Sequence, residues 1–217
     1  SFKGIYDISS FNFKTLESVD DGFTLDDING LQLWFDASDA STITESSGSV
    51  TNWNDKSGNA YHAYQTDGTK QAITNAETQN SLNVINFTTD FMTVNGGPMN
   101  IGDMFQVIKS PSLNFNTLGV VIGSTTERFY LFNTNTTSFH SSSYPSTVWK
   151  GGVEVTTTPY DIAPIHDDYF SLLLQADSGV TNTNVEIGRS EQSFSNNLNV
   201  AEIIVYDRTL TDTERYQ

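Results

Sequence analysis

Two stretches decide the fold of this chain: Leu31-Gln-Leu-Trp-Phe-Asp-Ala-Ser-Asp39 and Ala201-Glu-Ile-Ile-Val-Tyr-Asp207. Each is an apolar run of strand length that carries β-branched or aromatic residues and ends in aspartate. Similar runs recur between them, separated by polar turns with glycine or proline, and helical periodicity of useful length is absent. This pattern predicts an all-β protein, a sandwich or a barrel, rather than an α/β fold.

The individual strands can be placed from these runs and from the turn residues between them. We predict them at residues 31–36, 49–53, 60–66, 82–87, 104–109, 117–123, 128–133, 147–150, 168–175, 184–189 and 199–206. After the last strand, Thr211-Asp-Thr-Glu214 matches the capping box, in which the threonine hydroxyl accepts from the third amide and the glutamate accepts from the threonine amide. We therefore predict a short C-terminal helical turn.

The chain has 217 residues, a length that a single β-sandwich commonly reaches. Its first part differs in composition from the rest, because it combines too many apolar residues for a free linker with five acids between positions 17 and 27. We expect residues 1–29 to form an N-terminal arm or linker, and residues 30–217 to form one β-sandwich domain. The whole chain is expected to be part of a larger, multidomain protein.

The formal net charge of -16, from 26 acidic and 10 basic residues, limits the possible partners. Such a field repels phosphate backbones and anionic membrane surfaces, so we expect no nucleic-acid partner. No apolar run approaches the roughly 18 residues that a transmembrane helix needs, so membrane insertion is not expected either. The acidity is compatible with binding of divalent cations, and also with a simple role in solubility.

Several motifs, taken in order, carry a resemblance to a known family. The opening stretch is followed by Val50-Thr-Asn-Trp-Asn-Asp-Lys-Ser-Gly-Asn59, and the closing stretch is preceded by Ile187-Gly-Arg-Ser190. Together they resemble the laminin-G-like domains of bacterial and viral surface proteins, which belong to the concanavalin-A-like lectins. The resemblance covers about 31–217. It implies a two-sheet antiparallel β-sandwich, a concanavalin-A-like jelly roll, whose first and last strands are adjacent.

The same resemblance implies a role in recognition, since such domains bind glycans or proteins as parts of adhesins, glycosidases or virion proteins. We expect a non-catalytic, glycan-binding module of a larger extracellular, cell-surface or virion protein. The alternative is a structural spacer or protein–protein docking domain in an adhesin, a fibre or a capsid decoration. The expected partner is accordingly a glycan or a protein of a cell or virion surface.

An enzyme is not expected, because the carboxylates and histidines lack catalytic spacing. Glycosidases of this fold resemble laminarinases, whose two carboxylates lie on one strand as Glu-x-Asp-x-x-Glu, and this motif is missing. Glu186 and Glu191 are five residues apart and do not alternate onto one face. His62, His140 and His166 are scattered, without the spacing of a zinc site.

A structural calcium ion is one interpretation of the acidic turn after the second predicted strand. Asp55 and Asn59 lie in a tight, oxygen-rich turn of the kind that supplies calcium ligands. The resemblance brings Asp36 and Asp39 close to this turn, and Glu202 is an acid within an apolar strand that requires a partner. The other interpretation is an Asx turn, in which Asp55 accepts an amide hydrogen bond two or three residues on.

Ligand contacts are predicted where aromatic and polar side chains coincide in loops or at strand ends. Trp34 is placed in the core, since it lies in the middle of an apolar strand. The best candidate loop runs from 139 to 149, and the second from 160 to 168, with ordinary loop packing as the alternative for both. Trp53 fits either the core or the rim. The candidate ligand contacts are Trp53, His140, Tyr144, Trp149, Tyr160 and His166.

Overall fold

The computed structural model describes residues 24–109, 119–120, 122–124, 131–132, 146–156, 168–190, 193–194 and 198–215. Helical segments in these ranges are short: 3-10 turns at Leu25–Asp27 and Ala40–Thr42, and helix α1 at Asp212–Arg215. The strands in the same ranges are β1 (Leu31–Asp36), β2 (Ile43–Ser46), β3 (Ser49–Trp53), β4 (Ala63–Tyr64), β5 (Ile73–Gln79), β6 (Leu82–Phe87), β7 (Met92–Val94), β8 (Met99–Lys109), β9 (Gly119–Val120), β10 (Ile122–Ser124), β11 (Leu131–Phe132), β12 (Thr147–Lys150), β13 (Val153–Glu154), β14 (Phe170–Asn182), β15 (Val185–Ile187), β16 (Arg189–Ser190), β17 (Ser193–Phe194) and β18 (Leu198–Tyr206).

Antiparallel hydrogen bonding runs without a break through 14 of these strands. The order is β10-β15-β7-β4-β3-β5-β6-β18-β8-β14-β12-β13, with β1 added to β18 and β2 added to β3. We refer to β1, β18, β8, β14, β12 and β13 as the first layer, and to β2, β3, β4, β5, β7, β15 and β10 as the second layer. Strand β6 joins them, because it pairs with both β5 and the start of β18.

The two layers enclose one hydrophobic core. A single cluster of buried side chains contains residues from the inner faces of both layers. At its centre the Phe35 ring of the first layer stacks on the Trp53 ring of the second, with 4.8 Å between ring centroids and 28° between planes. The molecule is therefore an all-β antiparallel sandwich with a short C-terminal helix, as the sequence predicts.

The first and last strands of the described sandwich, β1 and β18, pair with each other, which confirms the expected adjacency. Alternation along β1 sends Leu33 and Phe35 into the core and leaves Trp34 on the outer face. Trp34 lies opposite Ile204, which packs in a separate outer cluster. The prediction that Trp34 is a core residue is wrong, because its two apolar neighbours, and not Trp34, have the inward parity.

The segments before β1 and after β18 pack on the outer face of the first layer. Ile28 and Leu210 pack against Tyr206, whose hydroxyl donates to the Leu25 carbonyl at 3.2 Å. The Asp207 amide donates to the Gly30 carbonyl at 2.9 Å. Residues 24–29 of the predicted arm thus pack on the sandwich, while residues 1–23 lie outside the described part of the chain.

The predicted capping box is present at α1. The Thr211 amide donates to Glu214 Oε2 at 2.8 Å, and the Glu214 amide donates to Thr211 Oγ1 at 3.3 Å. Arg208 adds a fork to the same carboxylate, at 3.0 and 2.5 Å. The hydrogen bond from Arg208, followed by those from Thr211, lowers the pKa of Glu214 from 4.5 to about 2. The segment from Arg208 to Glu214 is therefore held by an ionised carboxylate.

Replacement of Glu214 by glutamine should lower the thermal unfolding temperature at neutral pH but not at low pH. The folded-state pKa of Glu214, about 2, lies below its ordinary value of 4.5. Its stabilising effect is therefore fully present above the ordinary value and is lost as the pH falls through the folded value. Thermal unfolding of both proteins between about pH 7 and about pH 2 would measure this.

The Arg208→Met background provides the control for this prediction. It removes the largest cause of the pKa shift, so the pH-dependent gap between glutamate and glutamine at position 214 should shrink there. A gap that is the same at every pH would contradict the assignment.

Candidate functional site

The Asp55 turn, which follows β3, is a hub of hydrogen bonds. The Asp55 carboxylate is only 8% exposed. Its Oδ1 accepts from the backbone amides of Trp34 and Ser57, both at 2.9 Å. Its Oδ2 accepts from the Ser57 hydroxyl at 2.7 Å and from the Tyr61 amide at 3.1 Å. The Asx turn that the sequence allowed is present, and the same carboxylate ties the turn to β1.

Two further side chains, those of Asn59 and His62, also hold this turn in place. The Asn59 amide nitrogen donates to the carbonyls of Leu31 and Gln32, at 2.8 and 3.1 Å. The Asp55 amide donates to His62 Nδ1 at 3.1 Å. Hydrogen bonds of side chains and backbone groups therefore join the turn to β1.

Lys56 occupies the centre of the acidic cluster beside this turn. Its ammonium lies 3.0 Å from Asp36 Oδ2 and 3.2 Å from Asp39 Oδ2, and 4.0 Å from the centroid of the Trp34 ring. Burial disfavours charge on Lys56, but the two carboxylates outweigh this and raise its pKa. The Ser41 hydroxyl and then Lys56 lower the pKa of Asp39 against the effect of burial. The position between the two aspartates is thus filled by an ammonium.

Glu202 has the dedicated partner that its place in an apolar strand requires. It is 6% exposed and lies on the outer face of β18, two residues before Ile204. Its Oε1 accepts from the indole nitrogen of Trp34 at 2.8 Å. Trp34 thus links Glu202 to Lys56, with its N–H on the carboxylate and its ring under the ammonium. The junction of the first and last strands is a polar network.

This donor arrangement does not fit a calcium cage. Asp36 and Asp39 share a lysine ammonium, Asp55 accepts from four protein donors, and Asn59 directs its NH2 group inward. Glu202 binds an indole. Among the residues that the structure describes, no group of three or more histidine, cysteine, aspartate or glutamate side chains is arranged to hold a metal ion. Calcium binding at the predicted residues stays a prediction.

Chelation distinguishes a structural calcium ion from the network of protein donors described above. We expect EDTA to leave the thermal unfolding temperature unchanged, because protein donors already fill the oxygens of Asp55 and a lysine links Asp36 to Asp39. Unfolding followed by circular dichroism, with EDTA and then with excess Ca²⁺, is the measurement. A lower unfolding temperature in EDTA that Ca²⁺ restores would establish a structural calcium ion and contradict this expectation.

Replacement of Trp34 by phenylalanine should destabilise the protein by about 1–3 kcal/mol. The substitution keeps a ring under Lys56 but takes the indole donor away from the buried Glu202 carboxylate. Chemical denaturation of Trp34→Phe, Glu202→Gln and the double variant gives the coupling free energy. The cost of Trp34→Phe should be smaller in the Glu202→Gln background, because a neutral amide tolerates loss of a donor better than a carboxylate. Equal costs would show that the two side chains act independently.

The predicted ligand contact at Trp53 is wrong. Its side chain is 0% exposed and stacks on Phe35 in the core. Trp53 ends β3 with inward parity, opposite Ala63, so its ring packs between the layers and offers no face to a ligand. The position just before a polar turn suggested the rim, but the parity of the strand decides otherwise.

Trp149 is half-buried on β12, and its ring is covered by Arg215. The Arg215 guanidinium carbon lies 4.4 Å from the ring centroid and is held there by an ion pair with Asp212. A hairpin turn follows Lys150, with Gly151 and Gly152 at positive φ between β12 and β13. The remaining predicted ligand contacts lie outside the described residues: His140, Tyr144, Tyr160 and His166.

An exposed tyrosine on the outer face of the second layer is the better candidate for a ligand contact. Tyr64 on β4 is 39% exposed and lies directly between Asn52 on β3 and Thr93 on β7. Asn52 in turn lies opposite Thr44 on β2. Side chains directly opposite on paired antiparallel strands project from the same face. We call this line of four side chains, Thr44, Asn52, Tyr64 and Thr93, the Tyr64 row.

An ion pair closes one end of the Tyr64 row. Thr93 lies opposite Glu186 on β15, whose carboxylate receives two hydrogen bonds from Arg189. The Arg189 guanidinium also stacks on Phe91, 3.3 Å from its ring centroid. Glycine is required at position 188, between Glu186 and Arg189. Its φ is +81°, and a Cβ there would collide with Phe87.

Comparison with known proteins identifies no relative. No protein-family model, no curated protein and no solved structure matches this chain. Within the described ranges, none of the helices is long and apolar enough to cross a membrane.

Proposed function

We propose that this chain is a non-catalytic, glycan-binding module of a larger extracellular, cell-surface or virion protein, with a laminin-G-like jelly-roll architecture. The observation that carries the proposal is the exposed Tyr64 ring between Asn52 and Thr93 on an open sheet face. The resemblance of the opening and closing motifs to laminin-G-like domains supports the same role.

The chemistry of the Tyr64 row suits a sugar. A pyranose has an apolar C–H face and equatorial hydroxyls, so it combines stacking on an aromatic ring with hydrogen bonds at its edge. A tyrosine provides a rigid, amphipathic surface at small entropic cost, and amide and hydroxyl groups beside it both donate and accept. Asn52 and Thr93 provide these groups on either side of Tyr64.

The absence of catalysis in the proposal is supported by the engagement of the acidic side chains. Glycoside hydrolysis uses a pair of carboxylates, one as acid and one as nucleophile or base. Near the Tyr64 row, Glu186 is 1% exposed and held by Arg189. Across the sandwich, Lys109 pairs with Glu77. Both carboxylates form ion pairs with basic side chains, and this arrangement suits a role in stabilising the fold.

A second candidate function is a spacer or protein–protein docking domain. It is favoured by the positions of the tryptophans, which offer no free ring to a ligand: Trp53 is fully buried, and Trp149 is covered by Arg215. Trp34 is likewise enclosed, between Lys56 and Glu202. In such a domain Tyr64 would have no ligand of its own.

A glycan array probed with the wild-type chain and with Tyr64→Ala distinguishes the two functions. We expect binding to at least one glycan, retained in Tyr64→Phe and lost in Tyr64→Ala, because the phenylalanine keeps the stacking face. Val153→Ala, at another exposed apolar side chain that is 67% exposed on β13, is the matched control and should bind like the wild type. An array without any bound glycan would favour the spacer.

A further inference from the structure

The Tyr64 row suggests which kind of glycan the module takes. On the basis of the proposed glycan-binding function, we infer that the ligand is the extended chain of an uncharged polysaccharide. It lies across strands β2, β3, β4 and β7, along the Tyr64 row, and not as a single terminal sugar. Two features support this ligand: the direction of the row, and the ion pairs that several described cations form with carboxylates.

The row runs perpendicular to the strands. Thr44 is paired with Asn52, Asn52 with Tyr64, and Tyr64 with Thr93, so each strand contributes one side chain at the same level. Paired strands are about 4.8 Å apart, and the four positions therefore span about 14 Å. The distance of about 4.8 Å between neighbouring strands is close to the length that one pyranose unit adds to an extended chain. A chain laid across the strands meets one side chain per sugar.

The row is also accessible along its length. Thr44 and Asn52 are exposed, Tyr64 is exposed, and Thr93 is partly exposed. Within the described residues, no side-chain hydrogen bond engages the Asn52 amide or the Tyr64 hydroxyl. The Glu186–Arg189 pair ends the row beyond Thr93, which limits the contact to about four sugar units at one per strand.

Charge excludes acidic sugars from the same surface. The chain has a net charge of -16, so its field repels sulfated, sialylated and uronate glycans. The arginine at the described end of the row is neutralised, since Arg189 forms its bidentate pair with Glu186 and stacks on Phe91. Four other cations of the described ranges, but not all of them, form ion pairs with carboxylates: Lys56, Lys109, Arg208 and Arg215.

Two measurements on the full chain test the inference. In the first, isothermal titration with uncharged oligosaccharides, from monosaccharide to hexasaccharide of gluco-, xylo- and manno-series, gives affinity against length. We expect affinity to rise about tenfold or more up to the tetrasaccharide and then to level off, and Tyr64→Ala to lose binding while Val153→Ala keeps it. In the second, native gels containing dextran, xylan or galactomannan should retard the protein, and gels containing alginate, polygalacturonate or heparin should not.

The possible failures are distinguishable. Equal affinity for a monosaccharide and a tetrasaccharide, or preference for an anionic polymer, would overturn the extended, uncharged ligand but leave glycan binding in place. Length-dependent binding that survives Tyr64→Ala in a folded variant would overturn the location of the site. Failure of every sugar and polymer to bind would overturn the glycan-binding function itself, and with it this inference.

Discussion

The pairing of β1 with β18 is the constraint on which the rest of the structure depends. It places Leu33 and Phe35 beside Ile203 and Val205 on the inner face, where these residues are part of the core. Phe35 then stacks on Trp53, which positions the second layer. The Asp55 turn follows Trp53 and bonds back to β1, so the core and the polar network are fixed by one ladder.

The same ladder separates structural aromatics from available ones. Because alternate side chains of a strand face opposite sides, Trp34 is on the outer face, where a carboxylate and an ammonium enclose it. Trp53 has the inward parity and is buried, whereas Tyr64, on the next strand, has the outward parity and is exposed. Among the described residues, the tryptophans are therefore engaged in the core and in contacts with other side chains, and Tyr64 is the exposed aromatic ring.

The sequence predicts an element well where its apolar residues alternate. Strands β1 and β3 have the predicted bounds, whereas β5 was missed because only Thr74 of its side chains is buried and no alternation results. The capping box at 211–214 was predictable because it is a local interaction. The site was not. Tyr64 lies on a two-residue strand and gains its neighbours only through pairing, and Lys56 meets its aspartates only after the turn has folded.

The hydrogen bond from the Asp207 amide to the Gly30 carbonyl closes the end of the β1–β18 pair, and its position determines how this pair would respond to tension. The chain enters β1 and leaves β18 at the same end of an antiparallel pair, so tension between these two points loads the ladder one bond at a time, from Leu31 and Tyr206 inward. Such unzipping resists less than shear of a whole ladder would. A force applied to the chain before Leu25 and after Glu214 would first load the contacts of Tyr206 with Leu25 and of Arg208 with Glu214, and would reach the core only after they open.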